Sequence, residues 1–294
     1  MINHSRKIDI TICIPTCERY DFLLNAIQSC IQIVNLNVEI VIGDDSINTT
    51  EHLINNIILP ANYRIRYFHH KNSLGQSRNV DFLFKKADGL FLILLHDDDQ
   101  LLPNSIKSYW DKYLITQDND AVYFGKQKLM NNEGEILPHK FIEDFNSSFG
   151  RSFISEGYQQ NKTFVAMKAI CPGSSFMIPV KFAKQIGYSF NYGDACDYDF
   201  IIKIALIKTS SFYFLDNYIS AYRLSEYSVT KNKLYNSIYY KHILLRDYNL
   251  TSNYYYKEIF SADFLYLLKF HFKAYKYSRI PLLLYNYCKI VLIG

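Results

Sequence analysis

Apolar residues recur along this chain in two rhythms. Ile8, Ile10, Ile12 and Ile14 alternate with polar or small residues and stop at Pro15, which predicts a strand ending in a turn. Tyr20, Leu23, Leu24, Ile27, Ile31 and Val34 then return at helical spacing. A second strand is expected over 38–42, running into Gly43-Asp44-Asp45-Ser46. After it come a polar loop, a helix opening near Glu51, a short strand over 65–68 and a helix over 76–87. Residues 90–95 read as a further strand. Strands alternating with helices, each strand ending in polar residues, predict a mostly parallel sheet with its ligand outside the carboxyl edge.

The apolar run 92–95 breaks into His96-Asp97-Asp98-Asp99, and Pro103 then opens a predicted helix. Three adjacent carboxylates repel one another, and the end of a buried strand solvates them poorly. A divalent cation or a hydrogen-bonding ligand is the usual compensation; a solvated acidic turn capping the next helix is the plainer alternative. Oxygen ligands favour Mg²⁺ or Mn²⁺ over zinc. No two glycines are spaced Gly-x-Gly, and no Gly-Lys-Ser or Gly-Lys-Thr occurs, so neither a dinucleotide fingerprint nor a P-loop is available. Any nucleotide bound here needs a metal, rather than a glycine-rich loop, to hold its phosphates.

Composition narrows the classes further. At 294 residues and 49% hydrophobic content the chain can bury a substantial core. A net charge of +4, without a basic run of five or more residues, argues against nucleic acid as a partner. Six cysteines form no Cys-x-x-Cys pair, and Cys13 and Cys17 fall in what reads as a buried strand end, which suggests free thiols in a reducing cytoplasm. Neither an apolar leader nor an apolar stretch of roughly 18 residues is present, so the expectation is a cytoplasmic chain that is not integral to a membrane.

An ordered set of short motifs completes the picture: Ile14-Pro15-Thr16-Cys17-Glu18-Arg19; Gly43-Asp44-Asp45-Ser46; residues 72–79 with Gly75 and Arg78; Asp97-Asp98-Asp99 with Pro103; Cys171-Pro172-Gly173-Ser174-Ser175; Cys196-Asp197-Tyr198-Asp199; and Tyr222-Arg223. In this order and spacing the chain resembles glycosyltransferase family 2, of GT-A fold. The resemblance implies an α/β fold with a Rossmann-like nucleotide-binding half over 1–110 and an acceptor-binding, catalytic half over 111–230. A helical extension over 231–294 would follow. It also implies a nucleotide-sugar donor, by expectation a UDP-sugar.

By the same resemblance, Pro15 and Thr16 end the first strand beside uracil, and Glu18 belongs to that donor-binding turn. Asp44 accepts a hydrogen bond from the base N3–H, or else caps the next turn. Arg78 binds nucleotide phosphate, or is a solvated residue on a helix face. Family members usually read Asp-x-Asp-Asp with a proline four residues on, and aligning on Pro103 puts His96 in the first place. In that register Asp98 is the metal carboxylate, Asp97 or His96 faces the ribose, and Asp99 braces the site or the acceptor. Where the family carries Glu-Asp at a helix start, Cys196 replaces the glutamate and Asp197 keeps the aspartate. A carboxylate there suits the removal of a proton from an attacking sugar hydroxyl. Asp197 is therefore the expected base and Asp199 its alternative, although both also suit the negative charge wanted at a helix start. Tyr222-Arg223-Leu224-Ser225 matches a pattern whose fourth place often holds a metal-binding histidine; here it is Ser225.

From Lys231 to Gly294 there are ten Lys or Arg against three Asp or Glu, interleaved with Tyr, Phe and Leu, as in 264–273 and 280–285. Such a tail suits an anionic bilayer surface, helical packing against the core, or a dimer contact. The combined expectation is an inverting, metal-dependent glycosyltransferase acting on a saccharide or lipid-linked saccharide in bacterial surface-polysaccharide assembly, peripheral to the inner membrane face. A catalytically inactive sugar-nucleotide or glycan-binding module is the competing class, since His96, Cys196 and Ser225 depart from the active pattern. A nucleotidyltransferase is less favoured, because the first turn carries no glycine.

Overall fold

A computed structural model describes residues 7–224, 238 and 240–273, with side chains to 265. Strand β1 (Ile10–Thr16) leads to helix α1 (Tyr20–Cys30), β2 (Val38–Asp44), the single-turn α2 (Glu51–Ile54), β3 (Tyr63–His69), α3 (Gln76–Lys86) and β4 (Phe91–Leu94). Then follow β5 (Gln100–Leu101), α4 (Ser105–Thr116), β6 (Ala121–Met130), α5 (His139–Ser148), β7 (Gly157–Tyr158) and α6 (Lys162–Met167). The remainder is β8 (Met177–Pro179), α7 (Val180–Ile186), α8 (Cys196–Leu206), β9 (Ser211–Arg223), α9 (residues 240–247) and α10 (Tyr256–Lys273).

The nine strands among the described residues share one sheet in the order β3-β2-β1-β4-β8-β6-β9-β5, with β7 pairing on β9. Strands β1 to β4 pair in parallel, as do β6 and β9 over most of their length. The three-residue β8 is wedged antiparallel between β4 and β6, and so welds the first hundred residues to the rest. Most of the pairing is therefore parallel, and the sheet runs without a break across residue 110, which itself lies within α4.

Period-two patterning sorts the core into two layers. Ile10, Ile12 and Ile14 of β1, with Phe91 and Ile93 of β4, face α1 and α4. Cys13, Leu92 and Leu94 face the opposite layer, where Leu83, Phe84, Phe200 and Ile204 of α3 and α8 close over the sheet. Strands buried on both faces read as near-continuous apolar runs, which is why 90–95 shows no polar alternation. Leu244, Leu245, Ile259, Phe260 and Phe264 join that second layer, so the described front of the basic tail is a packing element on the core. Residues 274–294, with the apolar run 280–285, lie outside the described residues. No helix among the described residues is long and apolar enough to cross a membrane.

Three local expectations are corrected. Helix α1 ends at Cys30, before Ile31 and Val34, and the neighbouring Ile33 is fully exposed. The helix after Pro103 begins at Ser105, behind Asn104 in a left-handed conformation (φ 64°). Cys13 is buried but Cys17 is exposed, because the strand has already turned at Thr16; the described cysteines are all free.

Candidate active site

Every strand that carries a candidate residue delivers it to the same edge. Pro15 and Thr16 end β1, opposite Gly43 and Asp44 at the end of β2, and the acidic run follows β4. Beyond this edge lies a cleft of about 170 Å³ whose walls include Thr16, Glu18, Arg19, Asp44, Ser46 and Thr50. Glu18 turns the chain there with φ 55°, its backbone N–H donating to Ser46 Oγ and its carboxylate accepting from the Ile47 N–H at 2.6 Å. It thus ties the two strand ends together.

Asp44 has no solvent exposure, yet is densely hydrogen-bonded. One carboxylate oxygen accepts the Ser46 N–H (2.9 Å) and the other accepts Thr50 Oγ1 (3.0 Å) and the Tyr67 hydroxyl (2.5 Å). Burial would raise its pKa, but these donors outweigh that and hold it below the usual carboxylate range. It is a fixed acceptor with a lone pair to spare on the first oxygen. Tyr67, supplied by β3, went unnoticed in the sequence. Its only signal was a hydroxyl among the aromatic positions of a short strand.

Across the cleft, Asp97 accepts from Thr16 Oγ1 at 2.8 Å, and burial reinforced by the Asp98 charge pushes its pKa up to about 6. Asp98 pairs with Arg19 at 2.9 Å, and Arg19 also reaches Asp97 at 3.4 Å. Arg19 belonged to the first motif without a role of its own; as the basic residue of that turn it could have been marked as the partner of the acidic run. Asp99 is buried and accepts from Ser174 Oγ (3.0 Å) and the Arg223 N–H (3.1 Å), and burial again raises its pKa.

His96, Asp98 and Asp99 offer ligand atoms within 4.8 Å of one another. The Nε2 of His96 is buried without a hydrogen-bond partner among the described residues, an arrangement that ordinarily costs stability. Two carboxylates and an orphaned imidazole nitrogen fit a divalent ion; the oxygens suit Mg²⁺ and the mixed set suits Mn²⁺. Arg223 lies beside this cluster but is committed elsewhere. It is 2% exposed, donates to the carbonyls of Asp98, Asn131 and Asn132, and lies 4.6 Å over the Phe22 ring. Ser225 lies outside the described residues.

Asp197 enters from α8. Its carboxylate accepts the Tyr198 N–H at 2.7 Å, and burial raises its pKa against that bond and the charge of His96. A Cβ at Gly173 would stand 2.2 Å from Asp197 Oδ2, so any larger residue there pushes that carboxylate aside. The loop 171–175 thus touches Asp197 through Gly173 and Asp99 through Ser174, and Ser175 N–H donates to Leu94 O at the end of β4. Asp199, two residues on, points around the helix into an ion pair with Lys203 (2.6 Å) and a bond from the Tyr248 hydroxyl (2.8 Å). Arg78 is exposed on the first turn of α3.

The site can be set beside known proteins. Curated relatives include uncharacterized glycosyltransferases of Rickettsia felis, 25% identical over 197 residues, and Rickettsia bellii, 22% identical over 206 residues. These matches cover 66% and 70% of this chain but 31% and 28% of the relatives, so the chain spans about a third of their length. Among solved structures, S. aureus TarS 1–349 in complex with UDP gives a TM-score of 0.60 at 16% identity, covering 90% of this chain and 72% of that one. The complex with UDP-GlcNAc gives the same score and identity over 90% and 73%. At that identity the likeness is one of fold, and it supports the GT-A-like architecture. The model of glycosyl transferase family 2 matches residues 11–186, well over half the chain, and the protein belongs to that family.

Proposed function

We propose that the protein is an inverting glycosyltransferase that moves a sugar from UDP to a hydroxyl of a saccharide or lipid-linked saccharide in surface-polysaccharide assembly. The observation that carries this reading is the loop 171–175, which brings a half-buried carboxylate, Asp197, against the edge that holds the acidic run. The fold's likeness to structures holding UDP and UDP-GlcNAc supports the donor class.

In this reading Asp44, kept ionised, accepts the uracil N3–H, while Pro15 and Thr16 floor the cleft beside it. Glu18 fixes the turn, Asp97 or His96 meets the ribose, and exposed Arg78 is free to reach a phosphate. Asp98, with His96 and Asp99, would hold Mn²⁺ or Mg²⁺, which when bound supplies positive charge to the diphosphate. Asp197 takes the proton of the acceptor hydroxyl as that oxygen bonds to the anomeric carbon. The bond from that carbon to the diphosphate oxygen breaks, its electron pair leaves with UDP, and the anomeric configuration inverts. A raised pKa strengthens Asp197 as a base. Asp199, neutralised by Lys203, holds the helix and is not placed to act. Of the basic tail over 231–294, whose described front packs on the core, the remainder would hold the enzyme at an anionic inner membrane face.

Asp197→Asn keeps shape but not basicity, so turnover of a UDP-sugar should fall about 10²-fold or more while UDP affinity stays at the wild-type value. One observation favours a binding module instead: Arg19 already neutralises Asp98 without any ion. Wild-type protein that binds UDP-sugars with Mn²⁺ yet turns none over would establish that second reading.

A further inference from the structure

Arg19 stands where the nucleotide cleft meets the acidic run. It lines the cleft, immediately precedes α1, and donates to Asp98 Oδ2 at 2.9 Å and to Asp97 Oδ1 at 3.4 Å. Its side chain is 36% exposed, so the guanidinium is not locked in place. Arg223, the other guanidinium at this edge, is locked: it is buried and spends its donors on three backbone carbonyls.

Two observations separate the Arg19–Asp98 pair from an ordinary ion pair. Asp98 is also one of three residues whose ligand atoms converge, and His96 of that group has its Nε2 buried without a partner among the described residues, which signals an intended ligand other than Arg19. The guanidinium also borders a cavity that opens on the base-accepting Asp44, so a ligand entering there carries its phosphates towards Arg19. A planar fork of five donors binds phosphate oxygens at least as readily as a carboxylate.

We propose that Arg19 is a resident cation, holding Asp98 in the donor-free protein and exchanged for a divalent ion when a diphosphate enters. The guanidinium transfers from Asp98 to the diphosphate oxygens, and the vacated carboxylate becomes available to the metal. The idea rests on the donor site proposed above. Its consequence is reciprocal coupling: the metal alone must displace Arg19 without giving it a new partner, whereas metal and nucleotide together satisfy every charge. The acidic run is thereby kept neutral enough to fold while empty.

The test is calorimetric titration of Mn²⁺ into nucleotide-free protein, repeated with saturating UDP, for the wild type, Arg19→Met and Arg19→Lys. Wild type should take Mn²⁺ at least about tenfold more tightly with UDP than without; Arg19→Met should take it about tenfold more tightly than wild type without UDP, yet bind UDP several-fold more weakly in Mn²⁺. Arg19→Lys keeps the competing charge but loses the fork, so metal alone should bind as weakly as in wild type while the UDP effect shrinks. Arg19→Met that takes Mn²⁺ no more tightly than wild type in the absence of UDP overturns the exchange and leaves the donor site standing. If Arg19→Met does not fold, unchanged coupling in Arg19→Lys overturns it equally. Wild type that binds no UDP even with Mn²⁺ overturns both.

Discussion

Gly173→Ala is a one-carbon probe of the spacing between base and donor. The new Cβ would fall 2.2 Å from Asp197 Oδ2, 3.0 Å from its Cγ and 3.1 Å from its Cβ, where ordinary contact begins at 3.4 Å. The carboxylate, being the movable end of a side chain, must retreat by about 1 Å, and a displacement of that size at a reacting group costs roughly 10²-fold in rate. That corresponds to about 2.7 kcal/mol of transition-state stabilisation. Asp197 can leave by rotating its side chain, and Gly173 does not occupy a left-handed conformation, so the fold should survive. UDP release from a UDP-sugar would be followed for the variant and for wild type, alongside calorimetry of UDP binding and a thermal melt. The expected pattern is turnover down about a hundredfold with UDP affinity and melting temperature close to wild type. Turnover within about threefold of wild type would refute the claim that this carboxylate, in this position, is the base.

Tyr67→Phe removes the 2.5 Å hydrogen bond to Asp44, and UDP affinity measured by calorimetry should weaken by about 5- to 20-fold if Asp44 meets the base as proposed, with its carboxylate less firmly oriented and less acidic. The pH dependence of stability should carry the signature of Asp97. Its folded-state pKa is raised to about 6 from a usual 3.8, so its contribution is fully present below pH 3.8 and lost as pH rises through about 6. Melting temperatures across pH 4–7 in chelator should therefore fall more for wild type than for Asp97→Asn, and equal slopes would count against that burial effect. Added Mn²⁺ should stabilise more at pH 7.5 than at pH 5, because protons compete for the same carboxylates.

The alternation of Ile10, Ile12 and Ile14 and the abrupt acidic end of β4 were legible because both are local patterns with a fixed period. The order of the motifs was enough to name the family. Other features were invisible for a physical reason: they depend on pairings between residues far apart in sequence. The three-residue β8 carries too little pattern to announce itself, yet its pairing with Phe91–Ile93 is what holds the two halves in one sheet. Tyr67 meets Asp44 across 23 residues and Arg19 meets Asp98 across 79, so neither contact leaves a periodic trace. The choice between Asp197 and Asp199 illustrates the limit of spacing arguments. Two residues on a helix point to nearly opposite sides, and only the presence of Lys203 and Tyr248 on one side shows which carboxylate is already paired.

The short loop 171–175 has an evolutionary corollary. Since it grips Asp99, Asp197 and the end of β4 at once, the distance between these carboxylates is set largely by about five residues of backbone. The excursion that precedes it, residues 131–170, leaves β6, carries α5, lays β7 against β9 and packs α6 into the core before returning. Asn131 and Asn132 hold Arg223 and residues 165–170 pack with α8, so the part free to change is the mostly exposed turn 133–141. A lineage could thus vary that turn while the grip on Asp99 and Asp197 stays fixed, and chimaeras confined to 133–141 are the natural way to probe it.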